Sequence, residues 1–136
     1  MNISVSQAQG RVPVAVLSVQ GDLDASNYQD LIAKAKDIHR TGIGHILLDL
    51  THTSFVSSSG LVAIHSIAML LRGEELPDTE HGWASIHAVG QKLPPGAQPY
   101  LKLLNPQPKV DRTFEKAGLK GFFEIHTDLP TAVASF

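Results

Sequence analysis

The chain has 136 residues, 43% hydrophobic and 18% charged, which suits one packed domain and argues against disorder. Its 11 basic and 13 acidic residues give a formal net charge of −2, and without a basic stripe nucleic acid is not expected as a direct partner. Cysteine is absent, so disulfides and thiolate metal sites are excluded. No apolar run approaches the roughly 18 residues of a membrane span, and the first residues lack a basic segment followed by a long apolar run. The expectation is a cytoplasmic domain with no signal peptide and no membrane insertion.

Ile3 to Gln7 alternates weakly and predicts a short first strand, punctuated by Gly10 and Pro13. Val14 to Gln20 is rich in β-branched residues and predicts a second strand closed by Gly21. Tyr28, Leu31, Ile32, Ala35 and Ile38 recur at helical spacing. They predict a helix over about 25–39, with Asp24 as an N-cap. Ile43 to Leu50 is a nearly continuous apolar run, which suits a strand covered on both faces.

Leu47 to Arg72 reads as the end of that strand, a serine turn over Ser54 to Gly60, and a helix opening at Gly60. The helix is apolar almost all round, interrupted only by His65, Ser66 and Arg72, and is expected to be buried. Residues 73–99 break the pattern with four prolines, extra glycines and the single tryptophan, and read as an insertion. Within it, Trp83 to Gln91 is expected to form a short helix or strand. Trp83, Ile86 and Val89 there follow an i, i+3, i+6 pattern, expected to pack back on the domain. Tyr100 to Leu104 predicts another strand, and Pro108 to Ala117 a helix with Val110 and Phe114 inward and Gly118 at its end. Gly121 to Ile125 predicts a last strand, and Asp128 caps a short terminal helix with Pro130 in its first turn.

The order predicts an α/β fold: a mixed sheet of four to five strands, antiparallel at its opening and then parallel, flanked by about four helices. In such sheets ligands meet the carboxyl ends of the strands, where the turns Gly21 to Asp24 and Ser54 to Gly60 are both expected. Ser57, Ser58 and Ser59 open a helix. Its first amides lack intrahelical partners and carry a partial positive charge. Serines there cap the helix, and a phosphoryl group added there is electrostatically tolerated.

The segments VAVLSVQGDLDASNYQDL, LLDL, SFVSSSGL and VDRTFEKAGLKGFFEIHTDLPTAVASF, in this order, resemble the STAS domain, named for sulfate transporters and anti-sigma-factor antagonists. The resemblance covers most of the chain except the insertion, and implies one small non-enzymatic domain over 1–136 that needs no cofactor. It implies regulation by partner switching: binding of an anti-sigma factor that is also a serine kinase, release on phosphorylation, and reversal by a serine phosphatase. Gly21, Asp22, Leu23 and Asp24 match the family's G-E/D-L-D turn, and Asp49 the acidic residue that often closes the central strand. Ser58, Ser59 and Gly60 match S-S-G, which makes Ser59 the implied phosphoacceptor, with Ser58 second. Asp22, Asp24, Ser57, Ser58, Ser59 and Gly60 frame the implied partner surface. Ser57 departs from the family, which often has aspartate at that place.

The sequence is compatible with other roles. A STAS domain also serves as a scaffold or sensor in a signalling assembly, or as an accessory to an anion transporter. A serine hydrolase would need one of the seven histidines as base, and the G-x-S-x-G elbow is absent. Those histidines show no metal-ligand spacing, although His52 and His65 are close enough in the expected fold to approach one another.

Overall fold

The computed structural model describes residues 2–73 and 98–136. Six strands form one mixed sheet: β1 (Asn2–Gln9), β2 (Pro13–Leu23), β3 (Ile46–Asp49), β4 (Thr53–Val56), β5 (Leu101–Leu104) and β6 (Ile125–His126). Their order is β1-β2-β3-β5-β6, with β4 pairing on the far end of β2. β1 and β2 are antiparallel and every other pairing is parallel. Four helices complete the described residues: α1 (Tyr28–Arg40), α2 (Ser58–Leu71), α3 (Pro108–Lys116) and α4 (Leu129–Ala134).

The side-chain period of two explains how the sheet is covered. Ala15, Leu17 and Val19 of β2 join Ile46, Leu48, Leu101 and Leu103 in a large cluster with α1, α2 and α3. Val14 and Val16 point to the opposite face, where Leu47 and Leu104 meet Ala132 and Val133 of α4. β3 is therefore apolar on both faces because both are packed. α2 is buried from Gly60 to Met69, as its all-round apolarity predicts.

Several local expectations are corrected. Residues 25–27 form a turn and α1 begins at Tyr28, with Asn27 at the cap position. Asp24 is therefore not the helix cap. Its carboxylate accepts from the Ser26 amide and hydroxyl and holds the turn that precedes the helix. Thr53 to Val56 is a strand, not a turn, and β2 runs on through Leu23 to meet it, with a bulge between Gly21 and Asp22. The predicted strand Gly121 to Ile125 opens in a 3-10 turn (Lys120–Phe122), and only Ile125 and His126 pair with β5.

Other expectations hold. The Asp128 carboxylate accepts from the Thr131 amide at 3.0 Å at the start of α4. α3 ends as read, with Gly118 in the left-handed region at φ 73°. Trp83 to Gln91, and the face formed by Trp83, Ile86 and Val89, lie outside the described residues. No helix among the described residues is long and apolar enough to cross a membrane.

Candidate functional site

The ends of β2 and β4 bring the two expected turns together. Asp22 lies opposite Phe55 and Leu23 opposite Val56. The Leu23 carbonyl then accepts from the Ser57 amide at 2.9 Å, which ties the serine segment to the end of β2. α2 starts one residue later.

The three serines have different tasks. Ser57 is extended, with φ −82° and ψ 177°, and is the N-cap. Its Oγ accepts from the Gly60 amide at 3.2 Å and its carbonyl from the Leu61 amide at 3.0 Å. One of the orphan amides of the first turn is thus satisfied. Ser58 is exposed and Ser59 half-buried. No acidic residue stands in the first turn of α2, so the partial positive charge of the helix end is not offset there.

Gly60 is buried, and its contribution is close approach. A Cβ there would lie 2.8 Å from Val56 Cγ1, 2.9 Å from the Leu23 carbonyl oxygen and 3.0 Å from Leu23 Cγ. Only glycine lets the helix end sit this close to the two strand ends.

Asp22 is exposed, and its carbonyl accepts from Asn27 Nδ2 at 2.8 Å. The Asp24 amide donates to Asn27 Oδ1 at 2.9 Å. The Ser26 hydroxyl, and then the Ser26 amide, stabilise the Asp24 carboxylate and hold its pKa below the usual value. Asp22 and Asp24 thus sit on a braced turn beside the serines. Asp49, at the end of β3, accepts from Ser18 Oγ at 3.1 Å and from the Thr51 amide at 3.0 Å. It fastens β3 to β2 and shapes the next turn.

One surface residue escaped the sequence reading. Phe55 is 39% exposed on β4, and Lys109 Nζ lies 5.5 Å from its ring centroid. This large apolar side chain stands next to Asp22 at the mouth of the site. Phe55 and Ser54 are exposed between the buried Thr53 and Val56, a pattern set by the pairing of β4 with β2 that no sequence period announces.

The histidines stand apart. His52 is exposed, while His65 is fully buried in α2, edge-on to Phe122 and Phe123 at 6.3 and 5.8 Å. Burial lowers the pKa of His65 to about 4, so the ring is neutral near pH 7. Among the described residues no three His, Cys, Asp or Glu side chains gather as a metal site would require.

The sequence matches the STAS domain over residues 5–75, more than half of the 136-residue chain. The chain belongs to the STAS domain family. The match spans β2, α1, β3, β4 and α2, and therefore both turns of the site. No curated protein sequence matches the chain.

Solved structures show the same fold. An anti-sigma factor antagonist from Mycobacterium paratuberculosis is 19% identical, with a TM-score of 0.61 over 98% of this chain and 93% of that one. SpoIIAA, a Bacillus cell fate determinant, in its phosphorylated form is 18% identical, with a TM-score of 0.61 over 97% and 96%. The anti-sigma factor antagonist SpoIIAA in its unphosphorylated form is 21% identical, with a TM-score of 0.58 over 96% and 93%. Each alignment runs past the end of the family match, so the fold shared with these structures takes in β5, α3, β6 and α4.

Proposed function

We propose that this STAS domain is a non-enzymatic, cytoplasmic anti-sigma-factor antagonist that works by partner switching, with Ser59 as the phosphoacceptor. The observation that carries the proposal is the division of labour at the start of α2. The Ser57 hydroxyl is engaged as the cap. Ser58 and Ser59 make no hydrogen bond through their hydroxyls among the described residues, and both reach the surface. The likeness to anti-sigma factor antagonists, one of them solved in a phosphorylated form, supports the choice of role.

In this proposal the partner is an anti-sigma factor with serine-kinase activity, and a serine phosphatase reverses the modification. The partner packs on the exposed Phe55, Asp22 and the Ser58–Ser59 turn. Phosphorylation adds roughly −1.5 to −2 charges and three acceptor oxygens at pH 7. The open helix end tolerates that charge within the domain. A partner packed over the turn would have to desolvate it, so the complex breaks while the fold stays intact. Ser57 in place of the family's aspartate removes a carboxylate beside the acceptor, which tunes kinase recognition and leaves the cap in place.

Phosphosite mapping by mass spectrometry, on protein from its native host under resting and stressed conditions, tests this. Phosphate on Ser59 is the expected result. Repeated absence, with good coverage of Ser54 to Arg72, would favour a constitutive scaffold. Binding adds a second test: Ser59→Asp should weaken the partner complex, and Phe55→Ala should weaken it without changing phosphorylation by a generic kinase.

A further inference from the structure

The sheet has two very unequal edges. β6 contributes two residues to one of them and β1 contributes eight to the other. β1 pairs with β2 without interruption from Asn2↔Gln20 to Gln9↔Pro13, and nothing among the described residues pairs with its outer side. Half of its backbone N–H and C=O groups therefore face outward. Natural edge strands are protected by charge, proline or a bulge. The sequence of β1, NISVSQAQ, has neither charge nor proline, and its ladder has no bulge.

Beside this edge runs an open groove of about 580 Å³. Its apolar lining is Val5, Ala15, Ile38 and Ile43, and Lys34 and Asp37 of α1 stand in its wall. Val5 is 45% exposed there, although its partner across the ladder, Leu17, is fully buried. Ile3 packs against the core, but the helical layer stops short of Val5 and leaves this part of the edge's apolar side uncovered.

We propose that β1 pairs with β1 of a second copy of this chain, antiparallel and about a two-fold axis normal to the sheet. This proposal is independent of the serine turn. Facing residues in an antiparallel ladder keep their side chains on the same face, so the axis must lie midway between a residue and its own symmetry mate and not at a level between two residues. Placing it at the level of Val5 sets Val5 against its symmetry mate and Ile3 against Gln7. The uncharged strand brings no like charges together. The two α1 helices then flank one trough, separated by about three strand spacings, roughly 14 Å. Lys34 and Asp37, one turn apart on α1 and lining the groove with Val5, are opposite in sign, and Asp37 also pairs with Arg40 of its own helix at 3.3 Å. The two-fold places Lys34 of each copy toward Asp37 of the other, a self-complementary arrangement.

The test is sedimentation velocity on the full chain from low micromolar to near-millimolar concentration. A reversible dimer is the expected result. Val5→Lys sets two lysines face to face at the axis and should weaken the dimer about tenfold or more. Because Val5 is exposed, circular dichroism should be unchanged. Lys34→Asp and Asp37→Lys should each weaken association, and the two together should restore it. A monomer at every concentration overturns the proposal. So does a dimer indifferent to Val5→Lys, or one that the charge exchange fails to rescue.

Discussion

The Ser57 Oγ lies 3.2 Å from the Gly60 amide and caps α2. A serine there preserves the cap that an aspartate would supply and gives up only the negative charge. Ser57→Ala removes the acceptor and should lower stability by about 1 kcal/mol. Ser57→Asp should match or exceed the parent, because a carboxylate also interacts favourably with the helix end. Urea denaturation of the three proteins decides the matter. An aspartate variant less stable than the alanine one would contradict the cap assignment.

Gly60→Ala sets two effects against each other. Alanine favours a helix over glycine by about 1 kcal/mol. Its Cβ, however, would lie 2.9 Å from the Leu23 carbonyl oxygen, a backbone atom already bound to the Ser57 amide. That atom cannot yield without shifting the β2 end, and such overpacking costs about 1–3 kcal/mol. A net loss of stability is expected in thermal unfolding. The variant should also bind a partner less well, since the serine turn moves with the helix. A stabilised Gly60→Ala protein would show that the helix end is free to move.

The residue pattern carried the sheet and helices well where burial and periodicity agree. Val14 to Gln20 and Ile43 to Leu50 read as strands because their apolar residues serve both packed faces, although only Ile46 to Asp49 of the second run pairs as a strand. The serine turn was legible because capping chemistry is local. β4 was not: Thr53–Val56 has four residues and a buried hydroxyl residue in place of an apolar one. Thr53 is held there by a bond from its Oγ1 to the Val19 carbonyl at 2.8 Å, a contact 34 positions away in sequence. The early start given to α1 has a similar origin. Asp24 looks like a cap in sequence, yet its carboxylate turns to Ser26. Phe55 was missed because its exposure follows from β4.

Lys102 illustrates a tertiary demand hidden inside an apolar strand. Its side chain is only 5% exposed, and Nζ lies 3.0 Å from Glu124 Oε2, 2.9 Å from the Ser135 carbonyl and 3.0 Å from Ser135 Oγ. It also sits 4.8 Å from the Phe136 ring centroid, and so joins β5 to the chain end that follows α4. Lys102→Met keeps the stem and leaves Glu124, 45% exposed, free to regain water. Glu124→Ala instead strands a buried cation, which is the costlier error. Chemical denaturation should therefore find Glu124→Ala less stable than Lys102→Met. The reverse order would mean that the ammonium reaches solvent readily in the absence of Glu124.

His65 should dominate the first stage of acid destabilisation. It is fully buried, and neither ring nitrogen has a hydrogen-bond partner among the described residues. Its pKa falls from 6.5 to about 4 through burial. Above pH 6.5 the ring is neutral in both the folded and unfolded states, and the full stability is present. As pH falls from 6.5 toward 4, the unfolded chain binds a proton that the folded chain refuses, so stability drops, by about 3 kcal/mol over the window. Glu124 acts later. Its carboxylate is held below 4.5, chiefly by the Lys102 hydrogen bond, so its contribution is present above that value and is lost as pH falls through its folded pKa. His65→Leu removes the titrating ring. Unfolding free energies measured from pH 7 to pH 4 should fall steeply for the parent and much less for the variant. Equal slopes in the two proteins would remove His65 as the cause.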